Sequence, residues 1–236
     1  SKKSSLEEAS VNKLETICRK LDIQPSDKVV EIGSGWCGFA IYAATNYGCH
    51  VTTTTISDAQ YQEGKKRIEQ AGLSDNITLL KMDYRELTGS YDKLVSIEMI
   101  EAVGHRYHPQ FFSKCNDLLK ADGTMLLQAI TMRDQRHIFP GGCLPSNNRM
   151  FELISRETDL VVRQLEDFGF DYARTLKDWR HRFNRSFPEL KKSGYDERFR
   201  RLWNFYLAYC EGGFLERVIS VVHLVATRPD NRNISC

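Results

Sequence analysis

The chain has 236 residues, of which 41% are hydrophobic and 27% charged, with a formal net charge of +2. This composition is typical of one globular domain with a full hydrophobic core. The small net charge excludes the electrostatic footprint of a nucleic-acid-binding protein, and no apolar run is long enough to span a bilayer. None of the seven cysteines forms a C-x-x-C pair. We therefore expect a cytoplasmic protein with reduced thiols and no metal site.

The first predicted element is a helix that Ser5 and Glu8 open with a capping box and whose apolar stripe ends at Leu21. Strand patterns then alternate with helix patterns up to residue 131. The predicted strands lie at residues 28–32, 50–56, 77–82, 93–97 and 124–131, with helices at 39–47, 57–71 and 111–119 and a turn at 121–123. Beyond residue 131 the alternation ends, and the sequence predicts a strand at 160–164, helices at 171–187 and 196–211, and a closing strand at 216–228.

Alternating strands and helices predict parallel β-α-β units with right-handed crossovers. With the two later strands, the expected fold is an α/β, doubly wound, mostly parallel seven-stranded sheet in a single domain spanning residues 1–236. We divide it into an N-terminal helical segment (1–27), a cofactor-binding half (28–131), a segment of lid helices around a lipid site (132–215) and the closing strand (216–228). Ligands on such sheets gather at the carboxyl ends of the strands.

A glycine-rich turn follows the first strand. Gly33, Gly35 and Gly38 satisfy the G-x-G-x-x-G spacing of a nucleotide-binding loop, in which missing Cβ atoms let the backbone approach a ligand. This spacing alone does not identify the cofactor, because several cofactors that contain a nucleotide use similar loops.

The residues after the neighbouring strands favour S-adenosylmethionine over a dinucleotide. A dinucleotide enzyme places an acidic residue near the end of the second strand, but that strand is rich in threonine and ends in Thr55 and Ile56. Glu31 could orient the glycine loop or bind a cationic amino group. Asp83 could accept from an adenine amine and Tyr84 could stack on the base, although capping a turn is an alternative role for Asp83.

Several segments, in this order, resemble the cyclopropane fatty acid synthase family. They lie at residues 30–38, 55–60, 82–85, 98–105, 138–146, 171–176 and 209–214. The resemblance covers nearly the whole chain. It implies a class I S-adenosylmethionine-dependent methyltransferase with a Rossmann-like fold that acts on unsaturated acyl chains of membrane phospholipids. Within the matched motifs, it implies cofactor contacts from Glu31, Gly33, Gly35, Trp36, Gly38, Thr55, Ile56, Gln60, Asp83, Tyr84 and Glu98.

The same resemblance implies a bound bicarbonate as the catalytic base. Glu101, Tyr172 and the backbone of Ile130 are the groups of this chain that match its ligands, although Glu101 could instead cap the segment after it. Many members have a histidine where this chain has Gln128, which can form hydrogen bonds but carries no titrating proton. Cys210 matches a cysteine sometimes called catalytic, but we favour a structural role because no cationic neighbour is visible in the sequence.

Two segments that the family usually has are missing from the printed sequence. One precedes the first helix and supplies a cysteine ligand of bicarbonate; the other is a helical stretch that would fall between Arg136 and His137. We expect the full protein to contain both.

Basic residues crowd one C-terminal region, at residues 180–201. They predict either an ordinary solvated face or a surface for anionic lipid headgroups, with the protein peripheral to the membrane. The expected partners are phospholipid acyl chains, with a homodimer as a further option and no nucleic acid. The alternatives are a relative that forms methyl-branched or methylene fatty acids, one that methylates a small amine, and a cofactor-binding protein without catalysis.

Overall fold

The structure, a computed structural model, describes residues 5–132 and 144–232. Its helices are α1 (Leu6–Leu21), α2 (Gly38–Tyr47), α3 (Asp58–Gln70), α4 (His108–Leu118), α5 (Asn147–Glu157), α6 (Gly169–Lys192) and α7 (Glu197–Leu215). Its strands are β1 (Lys28–Ile32), β2 (His50–Thr55), β3 (Ile77–Lys81), β4 (Tyr91–Ile97), β5 (Leu119–Met132), β6 (Val161–Asp167) and β7 (Ile219–Thr227).

The strands of the described residues form one seven-stranded sheet in the order β3-β2-β1-β4-β5-β7-β6. The pairings among β1 to β5 are parallel, whereas β7 runs antiparallel to both β5 and β6. The predicted fold class is therefore confirmed. The order reverses beside β1, so the carboxyl ends of β1, β2, β4 and β5 meet at one edge, where ligands of such sheets bind.

Apolar layers cover both faces of the sheet. Ile17 of α1 and Phe39 of α2 pack on one face, and Phe111 of α4 and Leu153 of α5 pack on the other. A third apolar cluster lies under α6 and α7, where Phe214 packs with residues from the ends of β5 and β7. The hairpin of α6 and α7 is thereby fixed over the edge of the sheet at which the strands end. The division of the chain into four segments stays a prediction.

The predicted turn at residues 121–123 is wrong, because these residues lie inside β5. Leu119 pairs with Tyr91 and Thr124 pairs with Lys93, so four residues of β5 lie opposite a single residue of β4. Such an irregularity absorbs the polar and glycine residues without ending the strand. Lys120 Nζ donates to Asp92 across it, over 2.6 Å.

In the described part of the chain, no helix has the length and apolar character needed to cross a bilayer.

Candidate active site

The glycine loop joins β1 to α2 at the carboxyl edge of the sheet. Gly33 and Gly35 have φ values of 93° and 48°, in the left-handed region that glycine enters without a steric penalty. A Cβ built on Gly35 or Gly38 would meet no atom within 4 Å. The backbone N–H of Ser34 donates to the carbonyl of Thr54 over 2.8 Å, which ties the loop to β2. The result is an open, backbone-lined cradle next to a buried carboxylate.

That carboxylate belongs to Glu31, a residue that is only 2% exposed. Its Oε2 accepts from the Thr53 hydroxyl over 2.6 Å. Burial raises the pKa of Glu31 to about 8, although the Thr53 hydrogen bond opposes the shift. A cationic ligand group placed here would favour the ionised form. The sequence did not single out Thr53, because the cross-strand pairing of Glu31 with Thr53 depends on the register of β1 with β2.

We expect Glu31 to make the unliganded protein less stable as the pH rises. Its pKa is about 8 in the folded chain against an ordinary 4.5. Between these values only the unfolded chain releases the proton, so each pH unit costs the folded state up to about 1.4 kcal/mol. Below the lower value both states are protonated and the effect disappears. Urea unfolding at about pH 5 and about pH 8 measures it. Glu31→Gln should remove this part of the pH dependence, and an unchanged dependence in the variant would contradict the assignment.

The other residues matched to the cofactor lie around the cradle. Thr55 donates through its hydroxyl to Gln60 Oε1 over 2.8 Å and so orders the turn after β2. Ile56 is 76% exposed and Trp36 is 51% exposed. Arg67 donates to the carbonyl of Trp36. Apolar side chains this exposed beside a backbone cradle are available to cover a ligand's ring system.

Asp83 and Tyr84 follow β3 in a single 3-10 turn. The carboxylate of Asp83 caps this turn by accepting from the backbone N–H of Arg85 over 2.9 Å, and it also pairs with the guanidinium. The Arg85 hydrogen bonds hold the pKa of Asp83 below its usual range. The structure thus gives Asp83 the capping role that the sequence left open. The ring of Tyr84 packs edge-on against Phe111 with centroids 5.7 Å apart.

A cluster of polar side chains lies at the ends of β4 and β5. Glu98 follows β4, Gln128 lies in β5 and Tyr172 lies in the first turn of α6. Gln128 Nε2 donates to Glu98 Oε1 over 2.5 Å, and the Tyr172 hydroxyl donates to Glu98 Oε2 over 2.6 Å. Burial, reinforced by the charge of Glu98, raises the pKa of Tyr172. The side chain of Glu98, which the sequence assigned to the cofactor, is therefore held by two of the candidate catalytic residues.

Glu101 supplies a second carboxylate to this cluster. Its Oε1 accepts from the backbone N–H of Ile130 over 2.6 Å. Its Oε2 is buried and has no hydrogen-bond partner among the described residues. Burial raises the pKa of Glu101 to about 7, and the charge of Glu98 adds to the shift. This residue can therefore change its ionisation state near neutral pH.

Behind Gln128, a row of polar side chains crosses three strands. His223 of β7 lies opposite Gln128 of β5 and opposite Glu166 of β6. His223 Nε2 lies 3.0 Å from Gln128 Oε1, and His223 Nδ1 lies 3.0 Å from Nζ of Lys20. Lys20 also forms an ion pair with Glu166. Burial and the nearby lysines lower the pKa of His223 to about 3, so the ring is neutral. The sequence did not identify His223 or Lys20.

Cys210 lies in α7 and packs against the cluster under the α6–α7 hairpin, which also contains Tyr172 and Ile130. Burial raises the pKa of the Cys210 thiol. A thiol with a raised pKa is a poor nucleophile, which favours the structural role that we expect for Cys210.

Comparison with known proteins identifies the family of the chain. The family model described as "Mycolic acid cyclopropane synthetase" matches residues 1–224. The chain belongs to this family. The resemblance seen in the sequence is therefore confirmed. The cyclopropane-fatty-acyl-phospholipid synthase of Escherichia coli strain K12 is 37% identical over 233 residues, which are 95% of this chain and 59% of that protein. The tuberculostearic acid methyltransferase UfaA1 of Mycobacterium tuberculosis is 35% identical over 92% of this chain and 54% of its own length.

Solved structures of cyclopropane synthases have the same fold. The cyclopropane synthase MmaA2 from Mycobacterium tuberculosis superposes with a TM-score of 0.89 at 24% identity, covering 96% of this chain and 87% of that chain. The mycolic acid cyclopropane synthase CmaA1, complexed with SAH and CTAB, superposes with a TM-score of 0.86 at 25% identity. The match covers 95% of this chain and 86% of that chain. The architecture is that of class I methyltransferases. The chain spans less than two thirds of the length of the curated relatives named above.

The structure brings the candidate residues together in two adjacent groups. Most of the residues matched to the cofactor lie at the ends of β1, β2 and β3, whereas Glu98 lies with Gln128, Tyr172 and Glu101 near the ends of β4 and β5. The matched segment at residues 138–146 lies largely outside the described residues, as does the junction of Arg136 and His137.

Proposed function

We propose that the protein transfers the methyl group of S-adenosylmethionine to the double bond of unsaturated phospholipid acyl chains and closes a cyclopropane ring. The observation that carries this proposal is the pair of carboxylates, Glu98 and Glu101, held by Gln128, Tyr172 and the backbone of Ile130. Closing the ring requires removal of a proton close to a developing carbocation, and a fixed carboxylate can accept it. Membership of the cyclopropane synthetase family supports this chemistry.

S-adenosylmethionine fits the cradle at the end of β1. The loop around Gly35 leaves space where a Cβ would otherwise stand, and Glu31 offers a buried carboxylate to a cationic group. The sequence around these residues has no acidic group at the end of β2 for a dinucleotide ribose. When bound, this cofactor supplies an electrophilic methyl group on a sulfonium. The chain's part is to orient that methyl toward the polar cluster at β4 and β5 and to exclude water from it.

Glu101 would act on the charge that develops on the acyl chain. Its Oε2 has no partner among the described residues, so this oxygen is free to face a reacting group. An ionised carboxylate near a forming carbocation lowers the barrier, since the attraction is stronger in the transition state than in the neutral alkene. The residues present do not fit a bound bicarbonate, because Tyr172, which matches a ligand of that ion, and Gln128, which stands where many members have a histidine, donate to Glu98 instead.

We further propose that the protein works in the cytoplasm, peripheral to the membrane, and docks through one face of α7. Leu202, Phe205 and Tyr209 are 64%, 67% and 53% exposed and recur at helical spacing. Arg198 and Arg201 continue this stripe toward the start of the helix, and both are exposed. An apolar stripe with cationic residues at one end is suited to the interface of an anionic bilayer. A homodimer stays a prediction.

Reversing the charge at Arg198 and Arg201 should weaken binding to vesicles that contain anionic phospholipids. Each basic residue near such a surface contributes about 1 kcal/mol, so R198E/R201E should lower the partition coefficient at least about tenfold at low salt. Cosedimentation across a salt series measures this. The exposed Lys65 and Lys66 of α3 offer a matched control, because K65E/K66E also reverses two basic residues, far from α7 in the sequence. Equal binding of R198E/R201E and K65E/K66E would contradict the docking face.

Incubation with S-adenosylmethionine labelled on its methyl group tests the proposed function. Vesicles of unsaturated phospholipid should acquire label, whereas saturated phospholipid and small amines should not. Label on an amine would favour the amine methyltransferase. Cofactor binding without transfer to any acceptor would favour a protein that binds the cofactor and does not catalyse.

A further inference from the structure

The groups at the positions related to bicarbonate binding in the family donate hydrogen bonds to the chain's own carboxylates. Tyr172 and Gln128 each donate to a different oxygen of Glu98, over 2.6 and 2.5 Å. The backbone N–H of Ile130 donates to Glu101 over 2.6 Å. Two donors that converge on the two oxygens of one carboxylate are the arrangement that a planar oxyanion such as bicarbonate would require. In this chain Glu98 already provides that oxyanion.

The backbone at Glu98 gives a second, independent observation. Glu98 has φ 51°, in the left-handed region where a side chain costs conformational energy that glycine does not pay. A glycine would therefore suit this backbone better, and the chain carries a glutamate there. Strained residues that persist at the carboxyl end of a strand are typical of functional sites.

The row of polar side chains behind Gln128 determines which end of the Gln128 amide faces Glu98. This row consists of His223, Lys20 and Glu166. Lys20 Nζ can only donate, so His223 Nδ1 accepts from it and the ring proton lies on Nε2. His223 Nε2–H then donates to Gln128 Oε1, which turns Gln128 Nε2 toward Glu98. Lys20 in turn pairs with Glu166 at the surface. The amide of Gln128 is thus fixed as a donor toward the site.

We propose that Glu98 takes the place of bicarbonate in this protein and is the catalytic base, with Gln128 and Tyr172 as its supports and His223 as the positioning residue for Gln128. This inference rests on the proposed function, because it assigns the base of the same methyl transfer. Two strong hydrogen bonds to its oxygens lower the nucleophilicity of Glu98, and this limits alkylation of the carboxylate by the carbocation.

Methyl transfer and ring closure conserve atoms and charge. The π electrons of the alkene form a bond to the methyl carbon while its bond to sulfur breaks, which leaves a neutral thioether and a positive charge on the neighbouring chain carbon. Glu98 takes a proton from the transferred methyl group, and the electron pair of that C–H bond closes the ring. Neutral Glu98 then releases its proton to solvent, so one positive charge is lost from the sulfonium and one proton is gained by water.

The test compares wild type, Glu98→Gln and Glu98→Gly in buffer depleted of carbon dioxide and then supplied with bicarbonate. Glycine removes the carboxylate, relieves the left-handed backbone and leaves Gln128 and Tyr172 free to bind an anion. We expect wild-type turnover to be unaffected by bicarbonate. Glu98→Gln should lose at least about 100-fold in both buffers. Glu98→Gly should be equally slow without bicarbonate and recover at least about tenfold when it is added.

Binding of ¹³C-labelled bicarbonate, followed by NMR in the presence of S-adenosylhomocysteine, gives a readout that does not depend on activity. Glu98→Gly should bind the ion and wild type should not. Melting curves check that each variant is folded. A wild type that binds bicarbonate or needs it for turnover would overturn the proposal, as would a Glu98→Gln variant with wild-type turnover. If no lipid is methylated by any variant, the proposed function fails, and the binding measurement still decides whether Glu98 occupies the anion site.

Discussion

Glu101→Gln is expected to lower the turnover number by about 100-fold or more and to leave the affinity for S-adenosylmethionine within about twofold. Glutamine has nearly the same shape and its oxygen can still accept from Ile130 N–H, so the fold should be kept. What is lost is the negative charge at Oε2, which has no partner among the described residues. Single-turnover kinetics on phospholipid vesicles and calorimetric titration of the cofactor measure the two quantities.

The pH profile provides a sharper form of this prediction. The pKa of Glu101 is raised to about 7 by burial, so wild-type turnover should rise with pH through this region as the carboxyl ionises. Glu101→Gln should lack this rise. Glu189 of α6 is exposed and pairs with Lys192, so Glu189→Gln is the control for the loss of one carboxylate. Turnover of Glu101→Gln within a factor of about two of wild type would remove Glu101 from the chemistry.

His223→Leu is expected to lower both stability and turnover, although His223 contacts neither carboxylate directly. It removes the partner of Gln128 Oε1 and one of the two partners of Lys20 Nζ, which costs about 1–3 kcal/mol of stability. Because Gln128 is then free to turn away from Glu98, turnover should fall at least about tenfold while the KM for lipid stays near its wild-type value.

Two further variants separate positioning from stability. His223→Gln can donate to Gln128 and accept from Lys20, so it should recover most of the turnover. Val222 is fully buried next to His223, and Val222→Ala should lower the melting temperature without changing the turnover of the folded fraction. If His223→Leu loses stability but turns over like Val222→Ala, His223 is a structural residue alone.

Most of the fold follows from local patterns in the sequence. Val29 and Val30 with the threonines of β2 favour strands, and Gly33 and Gly35 favour a turn after β1, where the structure gives both glycines positive φ values. The turn at residues 121–123 was mispredicted because glycine and aspartate normally end a strand. Here Leu119 and Thr124 on either side pair with β4, and the backbone N–H groups of Arg228 and Asp230 donate to the carbonyls of Gly123 and Ala121.

The candidate site was less predictable, because its decisive contacts join residues far apart in the sequence. Nothing local to His223 shows that it lies opposite Gln128, since this depends on the register of two strands. Glu98 matched a cofactor motif, and only the tertiary structure shows Gln128 and Tyr172 donating to it. Asp83 was ambiguous because a carboxylate before a short turn can cap that turn or bind a ligand with equal ease.

The most direct test of the central claim is the isotopic content of the lipid product. Unsaturated phospholipid is incubated with S-adenosylmethionine that carries three deuterium atoms on its methyl group, and the acyl chains are analysed by mass spectrometry and deuterium NMR. Removal of a deuteron from the transferred methyl group predicts a product that keeps two of the three deuterium atoms and shows both in the high-field deuterium signals of a cyclopropane methylene. An acyl chain that keeps all three, or one that lacks the ring signals, would contradict ring closure as the outcome of this site.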